Sequence, residues 1–427
     1  MGLVTSVNWP IVPPLENPLP RFARVRQHFP DDSIVDIPTA VSRALSRSGL
    51  LSDVSGKRVA ITAGSRGIDA IAPVIRASVQ TLRQAGAEPF VVAAMGSHGG
   101  ATPDGQMALL AELGVTEGSV GCPLSVQMEA DHVGDTPDGV PVFCGRDALG
   151  AGAILVVNRI KPHSILVGDL GSGLMKMLAV GLSKHRGADA VHRAGLQEHV
   201  QAVARTALDR LPICAGLALV ENSHDRLARI EAVAPPEFPA TDRRLLDLAR
   251  SYFPNVPFDP LDVLIVRRIG KEISGAGMDP NVVGMHRRIG GPPQRQIRRI
   301  VALELSPASR GNAIGVGMAD IITERLRSQC DPVTTYVNAL TSDFLWGVKM
   351  PLAAPTDRDA IDLAFRPFAA GTVRAVLVRD TAHLEDLWVS EGIVQEAGRT
   401  PDLELQGDAE PLAFDSEGRL LTGAESR

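Results

Sequence analysis

Short apolar runs and longer amphipathic stretches alternate along this chain. Residues 57–62 (KRVAIT), 89–94 (PFVVAA) and 153–157 (AILVV) are apolar runs bounded by glycine or polar turns, the pattern of buried strands. Between the first two, the spacing predicts a helix running to about Ala85 and ending at Gly86. Thr102 and Pro103 read as the N-cap and first position of another helix. Residues 37–50 predict a helix, 139–143 a strand, 188–211 one long helix, 215–220 a strand and 238–253 an amphipathic helix. Strand, glycine turn and helix thus recur in order, which predicts an α/β fold with a mainly parallel sheet.

The turn-rich run FPNVPFDP at 253–260 marks a domain boundary, dividing the chain into 1–255 and 256–427. Beyond it, 263–267, 297–305 and 373–378 predict strands and 318–327 a helix, so the second domain is also α/β. Residues 1–30 are Pro-rich and are expected to wrap the surface. No internal repeat or low-complexity tract is present.

Composition narrows the function classes. With 427 residues, 44% hydrophobic and 22% charged, this is a globular chain long enough for two domains. A net charge of −6 leaves no basic excess to neutralise phosphates, so no nucleic-acid partner is expected. No apolar run reaches the roughly 18 residues that a membrane span needs. The N-terminus lacks a basic region before an apolar core, so no signal peptide is expected and the location is read as cytoplasmic. MGLVTS matches the myristoylation pattern formally, but the motif is short and common. Cys122, Cys144, Cys214 and Cys330 form no CxxC pair and read as buried thiols of a reducing compartment.

The chemistry concentrates between Asn158 and His192, just past the run 153–157. His163, Lys176 and His192 lie there among glycines, and open α/β sheets bind ligands beyond the carboxyl ends of their strands. Lys176 stands in an apolar run (LMKMLAVGL), where a lysine either snorkels or is chemically used. His98 sits in SHGG after another strand, and two histidines from two strand ends could face one another and move protons on opposite sides of a substrate. His185, His192 and His199 are seven apart, but Gly187 is expected to break a helix there, leaving one of them as a single metal ligand rather than a three-histidine site.

GSRGI at 64–68 matches the start of the nucleotide loop of short-chain dehydrogenases, but the third glycine of that pattern falls at Asp69. The family's Tyr-x-x-x-Lys is also missing, since Tyr252 and Tyr336 are followed by Val256 and Leu340. Arg66 remains as a fork suited to a carboxylate or phosphate, or to a surface ion pair.

Taken together, GSRG at 64–67, GSHGGATP at 96–103, NRIKPH at 158–163, GSGLMKM at 171–177, His192 and GKEISGAGMDPN at 270–281 resemble the nickel-pincer-nucleotide-dependent lactate racemases and their 2-hydroxy-acid racemase and epimerase homologues. The resemblance covers most of the chain and rests on order and spacing. It implies two α/β domains with mainly parallel sheets and the active site in the interdomain cleft. It implies His98 and His163 as acid/base residues, and Lys176 as covalent anchor of the pincer nucleotide beside Gly171, Ser172 and Gly173. It further implies His192 as the nickel ligand, and Arg66 and Lys271 as substrate contacts. The implied partners are a small 2-hydroxy acid and the cofactor-synthesis enzymes, with self-association left open. The chain departs from the pattern at Ala63, where an acidic residue is expected, in the length between His163 and Lys176, and in the segment holding Lys271 and Asp279. A cofactor-free hydroxy-acid or sugar-acid binding protein is the alternative.

Overall fold

The computed structural model describes residues 18–47 and 49–422. The MGLVTS match and the start of the Pro-rich segment lie outside the described residues. The chain divides into two compact units, one of residues 30–253 and one of 254–427 together with 1–29.

The unit 30–253 is built on a six-stranded sheet. Its order is Leu124–Ser125, Glu88–Ala93, Arg58–Ala63, Ala153–Arg159, Ile213–Glu221 and Leu227–Val233. All neighbours are parallel except the last pair. Alternate residues enter opposite faces. Ile154 and Val156 join one core with Ala60, Phe90 and Val92, while Ala153, Leu155 and Val157 join the other with Val59, Ile61 and Val91. Burial of both faces explains why these strands read as continuous apolar runs. The first core is completed by residues 174–182 and by helices Leu196–Arg210 and Phe238–Tyr252. The second is completed by helices Ile37–Arg47 and Ile71–Gln84. Beside the sheet stands a hairpin, Ala130–Asp135 with Pro141–Gly145, which contains the strand expected at 139–143.

One expectation here is corrected. The long helix at 188–211 is two helices, Lys184–Ala194 and Leu196–Arg210, and Gly187 lies inside the first. The break falls at Gly195, whose φ of 108° is open only to glycine, and a Cβ there would stand 2.6 Å from the Glu198 carboxylate.

The other unit contains a nine-stranded mixed sheet. Leu352–Ala354, Ile321–Thr323, Ile297–Leu305, Leu261–Ile269 and Ala375–Val378 run parallel. Asp386–Ser390, Arg21–Gln27, Leu403–Leu405 and Glu410–Pro411 continue it antiparallel. Arg21–Gln27 is therefore a sheet strand of this unit and not a surface wrap of the first domain. Phe22, Ala23 and Val25 are buried in it, and Arg24 and Arg26 bond Asp386 at 3.1 and 3.0 Å. Its arginines hide the strand pattern. The division between the compact units falls at 253/254, and residues up to 29 cluster with 254–427. The helix expected at 318–327 contains the strand Ile321–Thr323 and starts only at Glu324, where Thr323 accepts the Leu326 N–H at 3.0 Å as N-cap.

All four cysteines are free; Cys122 and Cys144 are buried, Cys214 and Cys330 half-buried. Among the described residues, no helix is long and apolar enough to cross a membrane.

Candidate functional site

Three neighbouring parallel strands, Glu88–Ala93, Arg58–Ala63 and Ala153–Arg159, carry His98, Arg66 and His163 on the loops after their carboxyl ends. The chain leaves Arg58–Ala63 for the strand on one side and later returns to the strand on the other. This is the switch point where open α/β sheets form a crevice.

Each loop is fixed by its own sequence. Gly99 has φ +66°, and a Cβ there would lie 2.6 Å from the Gly105 carbonyl carbon, so the SHGG turn needs glycine. The Gln106 amide donates to the carbonyls of Gly96 and His98 at 3.2 and 3.3 Å, holding the loop from beneath. Thr102 caps the following helix, Pro103–Glu112, by accepting the Gly105 N–H. Asp69 is a strut: its N–H reaches Glu221 at 2.6 Å and its carboxylate accepts the Leu227 N–H at 3.0 Å. Glu221 also pairs with Arg159.

The KPH and GSG segments are joined by backbone pairing of Lys161 with Ser172, at 3.2 and 3.0 Å. Asn158 donates to the Gly173 carbonyl at 2.6 Å. A Cβ on Gly171 would meet Leu246 at 2.7 Å, and one on Gly173 would meet the Asp242 carboxylate at 2.5 Å. Both glycines therefore let helix Phe238–Tyr252 pack against the turn that begins helix Leu174–Lys176. Asp242 accepts the N–H groups of Leu174 and Met175 at 3.0 and 2.9 Å, satisfying donors that the helix start would leave unpaired. Burial pushes the Asp242 carboxyl up to about 6 against those two bonds. Lys176 ends that helix and a π-helical turn, Met177–Gly181, follows; such turns recur at functional sites.

The side chains converge. Lys176 Nζ lies 3.0 Å from His163 Nε2. The other ring nitrogen of His163 accepts the Ile165 and Leu166 N–H groups at 3.2 and 3.3 Å. A neutral ring accepting at Nδ1 carries its proton on Nε2. Nε2–H then donates to Lys176, which accepts it in its free-amine form. Burial, with Arg66 and Lys161 adding like charge, lowers the Lys176 pKa to about 8. His98 is hydrogen-bonded through Nδ1 to the Ser65 hydroxyl. Desolvation of the ring first, then Arg66, Lys176 and His192, lower its pKa to about 4. His192, on helix Lys184–Ala194, is lowered by desolvation and then by Lys176, with Asp189 opposing. Arg66 is exposed and forms no ion pair or hydrogen bond with a described residue.

Arg66, His98, His163, Lys176 and His192 thus surround one place, and the groups whose charge shifts His98 and Lys176 are basic side chains. Such a cluster calls for an anion. Among the described residues, no three His, Cys, Asp or Glu side chains form a metal site. A single imidazole, His192, suits a metal that arrives already chelated, and a free amine at Lys176 suits a covalent tether. The donor set fits an anionic nucleotide carrying its own metal.

His185 is exposed on the helix of His192, and His199, on the next helix, pairs with Asp138 at 2.7 Å. Lys271 belongs to the other unit, where its amine donates to the Gly275 carbonyl and to Asn338 at 2.9 and 2.7 Å. A cavity of about 570 Å³ opens at the amino-terminal edge of the six-stranded sheet, lined by Arg58, Arg83, Phe90, Arg146 and Asp147. It holds none of the five residues, and its arginines are engaged. Arg83 donates to the Gly121 carbonyl at 2.6 Å, Arg146 to Asp131 at 2.8 Å, and Arg58 lies over Phe90. The chemistry belongs to the carboxyl edge. Sequence reasoning missed Ser65 and Asp242; Asp242 had a signal, an acid on the apolar stripe of Phe238, Leu245 and Leu246.

No family model and no curated protein matches the chain in sequence. Its fold is similar to that of a solved lactate racemase apoprotein from Thermoanaerobacterium thermosaccharolyticum. The TM-score is 0.53 and the identity 12%, over 84% of this chain and 98% of that one.

Proposed function

We propose that the chain is an isomerase, a racemase or epimerase of a 2-hydroxy carboxylic acid that works with a nickel-pincer nucleotide tethered at Lys176. One observation carries this reading: Arg66, His98, His163, Lys176 and His192 meet at the switch point of one parallel sheet, in a fold shared with a lactate racemase apoprotein.

Arg66 binds the substrate carboxylate through its open guanidinium fork. The α-hydrogen of a 2-hydroxy acid is too weakly acidic for an imidazole to remove as a proton. When bound, the nucleotide supplies reversible acceptance of that hydrogen with its electron pair, which no side chain here offers. The chain's residues handle the accompanying proton. His98 is neutral over the physiological range and its Nε2 takes the hydroxyl proton. His163 stands on the Lys176 side and serves the oxygen when it is presented on the opposite face. Lys176 holds the group by its amine, His192 ligates the metal, and the backbone of Gly171, Ser172 and Gly173 shapes the approach.

Intact-mass measurement on protein produced with the cofactor-synthesis enzymes tests this. An adduct is expected on the wild type and absent from Lys176→Ala. An unchanged wild-type mass with cofactor supplied refutes it. Stoichiometric nickel that depends on His192 separates the enzyme from a cofactor-free binding protein.

A further inference from the structure

We infer that Ser65 is a positioning residue: its hydroxyl oxygen accepts a hydrogen bond from His98 Nδ1–H and so fixes the tautomer that leaves Nε2 as the proton-accepting atom. The inference rests on the function proposed for His98, but its structural half stands alone. His98 Nδ1 and Ser65 Oγ are direct partners. A hydroxyl can donate or accept, so the contact alone allows either tautomer. The role proposed for the ring decides: Nε2 can take the hydroxyl proton only if the ring's own proton sits on Nδ1. Ser65 Oγ is the acceptor placed to receive it there.

The loops make this pairing rigid. Ser65 follows strand Arg58–Ala63 directly, in a turn braced through Asp69 and Glu221. The backbone of His98 is held by Gln106 and by the Gly99 turn. The ring is therefore anchored at Nδ1 and open at Nε2. The opposite holds for His163, whose Nδ1 accepts two backbone N–H groups and whose Nε2 bears the proton. The two histidines rest in opposite tautomers. At rest Nε2 of His98 offers a lone pair and Nε2 of His163 donates a hydrogen bond, and Ser65 is the side chain that creates the difference. Removing it frees the His98 proton to move to Nε2, which then cannot accept one.

Two measurements test this. The first needs no cofactor or substrate: long-range nitrogen–proton NMR of the histidine rings at neutral pH, with His98 assigned by comparison with His98→Gln. The wild type is expected to show protonated Nδ1 at His98, Ser65→Ala to shift toward protonated Nε2, and Ser65→Thr to restore the wild-type pattern. The second uses the cofactor-loaded enzyme with a 2-hydroxy acid that it interconverts. Ser65→Ala is expected to lower kcat about 10- to 100-fold with little change in KM, and Ser65→Thr to recover most of the loss. Protonated Nε2 in the wild type, or no change of tautomer in a folded Ser65→Ala, overturns the inference. If the loaded wild type interconverts nothing, the proposed function fails while the NMR result still decides the role of Ser65.

Discussion

Lys176 offers the sharpest quantitative test, because its chemistry can be read without any cofactor. An ordinary lysine with a pKa near 10.5 is about 0.03% free amine at pH 7, whereas one at about 8 is roughly 10% free, a gain of about 300-fold. Lower basicity reduces intrinsic nucleophilicity; a Brønsted slope of about 0.5, taken by analogy with thiols, takes back roughly 20-fold. The net expectation is acylation about 15-fold faster than at an exposed lysine, less whatever its half-buried position costs in access. The chain has six lysines, so peptide mapping after brief acetylation at pH 7 resolves each one. Lys349 is the exposed reference, and Lys184, fully buried and paired with Asp147 at 3.2 Å, is the protected control. Lys176 should lead the series, with a rate that levels off above pH 8. Labelling of Lys176 no faster than Lys349 through that range would refute the assignment of a free amine hydrogen-bonded to His163. It would leave the 3.0 Å contact as an accident of packing.

The same shift has a sign in stability: between about 8 and 10.5 the unfolded chain holds the Lys176 proton and the folded chain does not, so stability rises with pH there, and Lys176→Met should stabilise at pH 7 by about 1–3 kcal/mol in a thermal melt. In the loaded enzyme, His98→Ala and His163→Ala should each lower interconversion by about 100- to 10,000-fold with cofactor retained, and turnover within a few-fold of wild type would end the two-base assignment. His192→Ala should lose nickel by elemental analysis yet keep the Lys176 adduct by mass. With His98 at about 4, the acid limb of kcat/KM should fall near pH 4 rather than 6.5, since the base is active only above its pKa. Gly173→Ala should destabilise by about 1–3 kcal/mol in denaturant unfolding, because the new Cβ meets the carboxylate that caps Leu174 and Met175.

How much of this was legible in the sequence depended on whether one contact period dominated a segment. Strands buried on both faces, such as Ala153–Arg159, announce themselves as apolar runs. Arg21–Gln27 does not, because Arg24 and Arg26 pair across to Asp386, Glu385 and Trp388, at and beside a partner strand far along the chain. The helix break at Gly195 was placed at Gly187 because both glycines look alike in sequence. Only the backbone distinguishes them: Gly187 is helical, and there a Cβ would strike Ser183, whereas Gly195 takes a positive φ.

The site shows the same division more usefully. His98, His163, Lys176 and His192 could be picked out because cationic or nucleophilic residues among glycines at strand ends are unusual in a packed chain. What holds them could not. Ser65 and Asp242 are common residue types whose roles exist only through contacts made across the fold, to His98 from another loop and to Leu174 from a helix some 68 positions later. Those contacts also change the chemistry. A symmetric pair of histidines is what the strand-end pattern suggests, yet one ring is anchored by a hydroxyl and the other by backbone N–H groups. Symmetric residues in asymmetric hydrogen-bonding fields have different resting protonation. In a racemase of this construction kcat/KM must coincide in the two directions at every pH, because the equilibrium between enantiomers is fixed at unity, so the asymmetry should appear in kcat and KM separately, with compensating pH profiles. Measuring kcat for each enantiomer across pH gives the two profiles directly; identical kcat profiles would mean that the two rings exchange protons with solvent faster than either step and that their resting tautomers do not matter.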